Sequence, residues 1–256
     1  MPKSKTYPQV LLFGDSIIQQ SSFLRDGFSF GAVLAEHCSR RFDVVNRGLS
    51  GYNTANALVV LEDVIPSPEH AKVAYMLVLF GANDACVPDS PSKQHVPLEK
   101  YRKNINTILT HPAVKAHDPT ILLVTPPPVN ETQLRAVDVA GGYPALTRYQ
   151  SITAQYADAV RTIASESKND KVVLIDLHSA LLEKAARISP SEVEGDLMLG
   201  IGTLQRGDSA GLKALLEDGL HLTGAGYKVF VDEILTFIET PPPIFPLWTE
   251  APTIDS

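Results

Sequence analysis

Ser16 follows the apolar run LLF and the pair Gly14-Asp15, at a point where a helical pattern begins. A serine at such a strand-to-helix passage can offer its hydroxyl as a nucleophile. Its backbone N–H then sits at a helix N-terminus, beside a developing oxyanion. Asp218 and His221 stand three residues apart near the other end of the chain. In a turn or helix, that spacing lets the carboxylate hold imidazole Nδ1 and leaves Nε2 as base for a serine hydroxyl. Gly48 and Asn83 bring two further donors: a backbone N–H that can approach a bound oxygen closely, and a side-chain amide. Taken singly, each residue has a plainer use. Serine after a strand is often an N-cap, an Asp-x-x-His pair can simply close a turn, and Gly and Asn favour turns. Four such places converging on one crevice are a different matter.

The elements that must position them can be read from the apolar pattern. Residues 10–13, 42–46, 73–80, 120–125 and 172–176 are short apolar, β-branched-rich runs, and continuous rather than alternating apolarity predicts buried strands. Segments with helical spacing lie between them, at 28–40, 53–61, 98–110, 146–167 and 181–188. Strands alternating with helices predict a mostly parallel sheet covered on both faces, with the ligand crevice beyond the carboxyl ends of the strands. The unusual residues fall at those ends. The first run leads into Gly14-Asp15-Ser16, the second into Arg47-Gly48-Leu49-Ser50-Gly51, the third into Gly81-Ala82-Asn83-Asp84, and the fourth into Pro126-Pro127-Pro128. Asp218 and His221 precede a last helix, expected over 224–239 and N-capped by Thr223.

The motifs GDS at 14–16, RGLSGYNT at 47–54, GANDAC at 81–86 and DGLHLTGAGY at 218–227 resemble, in order and position, the four blocks of the SGNH, or GDSL-type, hydrolases. Their longer wording is similar to that of the isoamyl-acetate-hydrolysing esterases. The resemblance implies an α/β fold: a flavodoxin-like, three-layer α/β/α sandwich with a five-stranded parallel sheet. It also implies a Ser16–His221–Asp218 triad, an oxyanion hole of the Ser16 N–H, the Gly48 N–H and the Asn83 amide, and hydrolysis of small esters without cofactor or metal. An O-acetyl deacetylase acting on carbohydrate would use the same triad, and a catalytically silent scaffold would need none of it. Two stretches depart from the pattern. After GDSI at 14–17 this chain has Ile18-Gln19-Gln20 where many relatives have Thr, and residues 126–148 match no block and are expected to form a wall of the substrate pocket.

Other signals compete. Gly207-Asp208-Ser209-Ala210-Gly211 fits the Gly-x-Ser-x-Gly elbow of α/β-hydrolases, but a glycine-broken segment precedes it where a strand is needed, so a loop into a helix over 212–217 is expected. His111 and His117 have no metal-ligand spacing, and no phosphate-cradling glycine motif appears. Cys86, just past Asn83, lacks a cationic neighbour in sequence and reads as a passive thiol. Asp15 and Asp84 flank the reacting positions and read as hydrogen-bonding supports rather than an acid–base pair.

The chain has 256 residues, 44% hydrophobic and 20% charged, which suits one α/β domain, here residues 1–240, followed by a Pro-rich, aromatic tail at 241–256. An apolar tail predicts packing near the pocket mouth or on a second copy of the chain, as in a homodimer, with a frayed end as the alternative. A net charge of −7 argues against a nucleic-acid partner. Two cysteines exclude a disulfide-built scaffold, and the longest apolar stretch, 73–80, is too short to span a membrane. The combination predicts a cytoplasmic protein whose partner is a small-molecule ester.

Overall fold

Strand β1 (Gln9–Gly14) is buried at every residue but the first, and β3 (Val73–Leu79) at every residue but Ala74. Uninterrupted burial of this kind requires cover on both sheet faces. In the computed structural model, which describes residues 6–190 and 200–245, these strands join β2 (Asp43–Gly48), β4 (Thr120–Val124) and β5 (Val172–Ile175). The sheet has five strands, all parallel, in the order β2-β1-β3-β4-β5. Successive side chains alternate between two cores: Val10 and Leu12 enter one, Leu11 and Phe13 the other. Helices α2 (Phe30–His37), α8 (Leu177–Ile188), α9 (Ala210–Leu215) and α10 (Gly224–Leu235) cover the first face. Helices α3 (Thr54–Val64), α4 (Leu98–Thr110) and α7 (Gln150–Glu166) cover the second. The result is the three-layer α/β/α sandwich expected from the sequence. Each fully buried Leu, Ile or Phe in these layers contributes about 1.5–3 kcal/mol.

The strands fall within a residue or two of the expected runs, and α4 matches 98–110 at both ends. Elsewhere capping moved the boundaries. Helix α8 starts at Leu177, not 181, because Asp176 caps it by accepting from the Ser179 N–H at 3.2 Å. Helix α7 starts at Gln150, not 146, because the Gln150 N–H is held by Glu131 Oε1 at 2.8 Å. Glu131 belongs to α6 (Glu131–Ala140), a helix inside the unplaced stretch 126–148 that the pattern did not predict. Its buried residues are Glu131, Leu134 and Asp138, while Val137 and Val139 are exposed. The apolar pattern is inverted because the two carboxylates face inward as acceptors for loop backbone.

Ser209 is the N-cap of α9, accepting from the Leu212 N–H at 3.1 Å, with no strand among the described residues 200–208 before it. Thr223 caps α10 as expected, accepting from the Gly226 N–H at 3.1 Å. The described part of the tail does not reach the site. The Arg41 guanidinium donates to the Pro241 carbonyl at 2.6 Å, the Ile244 N–H to the Arg40 carbonyl at 3.2 Å, and Phe245 packs edge-on against Tyr7. These contacts gather at the amino ends of β1 and β2, the opposite end of the sheet from Ser16. The pocket-mouth expectation is therefore corrected for residues 241–245; residues 246–256 lie outside the described residues. Among the described residues no helix is long and apolar enough to cross a membrane.

Candidate active site

Strand order reverses between β1 and β3, and Gly14 at the end of β1 stands in register with Gly48 on β2 and Leu79 on β3. A crevice opens at such a switch point. Ser16 enters it as the first residue of the short helix α1 (Ser16–Gln20) and is 8% exposed. The alternative role for Ser16, the helix N-cap, is filled by its neighbour: Asp15 Oδ1 accepts from the Ile17 N–H at 2.9 Å. This frees the serine hydroxyl. The Ser16 N–H, at the first helical position, has no intrahelical acceptor.

Asp218 and His221 occupy a tight hairpin between α9 and α10. Leu216 bridges Leu222, and the Glu217 N–H donates to the His221 carbonyl at 2.8 Å. Gly219 turns the chain at φ +87°, and a Cβ there would meet the Asn130 carbonyl at 2.5 Å, so glycine is required twice over. Asp218 Oδ1 accepts from the Leu220 and His221 N–H groups at 2.9 and 2.8 Å. Its Oδ2 lies 2.7 Å from His221 Nδ1, and His221 Nε2 lies 2.9 Å from Ser16 Oγ. An ionised carboxylate only accepts, so Nδ1 carries the proton and Nε2 accepts from the serine. Burial pushes the Asp218 carboxyl up, but the hydrogen bonds and charge of His221 outweigh it and bring the pKa down to about 2. The Tyr227 hydroxyl on α10 donates to the Ile17 carbonyl at 2.7 Å, tying the helix that follows the base to the helix that carries the serine.

The three expected donors are not equivalent. Asn83 is buried; one of its amide hydrogens goes to the Tyr52 carbonyl at 2.9 Å, and its Oδ1 accepts from Arg148 at 2.9 Å. Its second amide hydrogen remains. The Gly48 N–H donates to Asn46 Oδ1 at 2.8 Å. The need for glycine here also has another source, since a Cβ would lie 1.9 Å from the Gln19 backbone nitrogen. The close approach is to α1 itself.

Asp15 and Asp84 are both fully buried, each with one oxygen bonded and Oδ2 without a partner. Asp84 Oδ1 accepts from the Thr54 N–H at 2.9 Å and from its hydroxyl, anchoring the start of α3. Burial pushes Asp15 up to about 7 and Asp84 up to about 6. Both serve as hydrogen-bonding supports. Cys86 is buried, and burial pushes its thiol up, away from reactivity. Arg148, from the unplaced stretch, was not anticipated. A single arginine in an irregular polar segment carries no periodic signal.

A model of the GDSL-like lipase/acylhydrolase family matches residues 12–229, a span that holds every residue of this site. The chain belongs to that family. It is a carboxylic ester hydrolase. Mouse isoamyl acetate-hydrolyzing esterase 1 homolog is 33% identical over 222 residues, covering 86% of this chain and 77% of that protein. A GDSL esterase/lipase of Arabidopsis thaliana is 35% identical over 231 residues, covering 88% and 83%. Among solved structures, the acetyl xylan esterase AlAXEase superposes with a TM-score of 0.65 at 16% identity, covering 90% of this hydrolase and 100% of that chain. That likeness speaks to the fold.

Proposed function

We propose that this hydrolase cleaves short-chain, acetate-type esters through a covalent acyl-enzyme on Ser16. The observation that carries the mechanism is the unbroken chain from Asp218 through His221 to the Ser16 hydroxyl, at 2.7 and 2.9 Å. His221 Nε2 takes the hydroxyl proton as Ser16 Oγ bonds to the ester carbonyl carbon. Asp218, held ionised, steadies the imidazolium. The oxyanion is held by the Ser16 N–H and the second Asn83 amide hydrogen, and by the Gly48 N–H once it is shared between Asn46 Oδ1 and the substrate. The tetrahedral species collapses as the alkoxy C–O bond breaks and His221 protonates the leaving alcohol. Water, deprotonated by His221, then attacks the acyl-enzyme and regenerates Ser16. The substrate class is supported by the name of the mouse relative, which specifies isoamyl acetate.

The test is labelling by a fluorophosphonate together with turnover of p-nitrophenyl esters of increasing acyl length and of acetylated xylo-oligosaccharides. The expected result is a labelled Ser16 peptide by mass spectrometry and the highest kcat/KM on the acetyl ester. Ser16→Ala should abolish labelling and leave only the ~10³–10⁴ over water that binding and oxyanion donors supply. Ser209→Ala, which removes a helix cap, should keep the label. Label on Ser209, or turnover undiminished by loss of Ser16, overturns the mechanism. A preference for acetylated oligosaccharide over simple acetates overturns the substrate class alone.

A further inference from the structure

The Arg148 guanidinium is buried, and such a charge is tolerated only when its donors are met. Here they meet four acceptors: the Ala82 carbonyl at 2.6 Å from Nε, Thr147 Oγ1 at 3.2 Å, Asn83 Oδ1 at 2.9 Å and Gln94 Oε1 at 3.1 Å. Two of these lie on the segment that carries the oxyanion amide. Gln94 reaches on to the motif loop at 47–54, its Nε2 donating to the Gly51 carbonyl and its own carbonyl accepting from Asn53 Nδ2. Behind Arg148, Asp138 of α6 accepts from the Thr147 N–H at 2.7 Å and from its hydroxyl at 3.1 Å. The Val87 N–H donates to the Thr147 carbonyl at 2.9 Å, and Cys86 bridges Arg148. The stretch matching no family block is thus pinned directly to the strand end that holds Asn83.

An asparagine amide has two ends of opposite polarity and nearly equal shape, and only its neighbours decide which faces the substrate. A guanidinium carries no acceptor, so it can face only the oxygen end. We infer that Arg148 is a positioning residue that fixes Asn83 with its N–H toward the substrate oxygen. The inference rests on the reading of Asn83 as an oxyanion donor. Arg148 excludes the flipped amide, which would set Oδ1 against the developing negative charge. Its positive charge also polarises the amide, making the remaining N–H a stronger donor. Asp138 and Thr147 hold the guanidinium in register.

A double-mutant cycle on acetyl ester turnover tests this with four proteins: the unaltered chain, Asn83→Ala, Arg148→Met and the double variant. Asn83→Ala should lower kcat by ~10²–10³ with KM little changed. Arg148→Met should lower kcat by about 10–10²-fold, again with little effect on KM, approaching the loss of the donor itself. In the Asn83→Ala background the Arg148 substitution should cost almost nothing further. Arg148→Lys keeps the charge but not the planar fork, and serves for the same cycle if the Met variant does not fold. It should lose kcat less severely, and that loss too should vanish without Asn83. An equal fold loss in both backgrounds, or a folded variant with undiminished kcat, overturns the inference and leaves Asn83 as assigned. If Asn83→Ala itself retains kcat while Ser16→Ala does not, the reading of Asn83 falls, and the role of Arg148 with it.

Discussion

Asp218 and Asp15 are both aspartates beside one serine–histidine pair, yet their surroundings drive them apart. Asp218 faces His221 and two backbone N–H groups and titrates at about 2; its contribution to stability is present above the ordinary value of 3.8 and lost as pH falls toward 2. Asp15 lies in a wholly buried site with one oxygen unpartnered, and burial pushes it up to about 7. For a carboxyl with a raised folded-state pKa the sign reverses. The folded state binds the proton more tightly, so stability is fullest at low pH and declines as pH rises from about 4 to about 7. Asp15→Asn keeps the cap to the Ile17 N–H and removes the buried charge. Its Tm relative to the unaltered protein should therefore be more favourable at pH 8 than at pH 4, by about 2–4 °C per kcal/mol in a domain of this size. Calorimetry at the two pH values checks it. A pH-independent difference would mean that Asp15 carries no burial penalty.

At the scale of elements, α1 and β2 meet without a side chain between them. The Gln19 backbone lies where a Cβ of residue 48 would be, and Asn46 straps the two together, donating to the Ile18 carbonyl at 2.7 Å and accepting from the Gly48 N–H. Gly48→Ala must displace α1, which carries Ser16. The substitution should destabilise by about 1–3 kcal/mol, as overpacking does, and should slow fluorophosphonate labelling of Ser16 as well. Chemical denaturation and labelling rates on the same sample check both effects; unchanged stability and unchanged labelling would mean that the Gln19 backbone yields to the added Cβ without moving Ser16. Helix α6 shows another case: beside Leu134, which packs in the core, its inner face carries Glu131 and Asp138, which serve backbone N–H groups.

Across the whole molecule, the crevice and the described residues of the tail, 241–245, occupy opposite ends of the sheet. Ser16 and Asn83 follow the carboxyl ends of β1 and β3 and Gly48 closes β2, while Pro241–Phe245 lie along Arg40, Arg41 and Tyr7 at the amino ends. Truncation after Thr240 should therefore lower Tm through the lost carbonyl contacts of Arg40 and Arg41 and leave kcat/KM on acetyl esters unchanged. A shift in acyl-length preference on truncation would instead bring residues 246–256 to the pocket.

The sequence by itself determined the five strands and their parallel pairing, while the meeting of Ser16, Asp218 and His221 was implied by the resemblance of its motifs to the SGNH hydrolases. A doubly covered strand must be apolar along its length, and strand ends in a parallel sheet must share one edge. Asp15 as the cap, the Gly48 N–H bonded to Asn46, the carboxylates on the inner face of α6 and Arg148 on Asn83 were decided only by the tertiary structure. Arg148 meets Asn83 across 65 residues of chain. Hydrogen-bond partners at that separation are chosen by how loops pack, and neither composition nor periodicity records which donor will reach which acceptor.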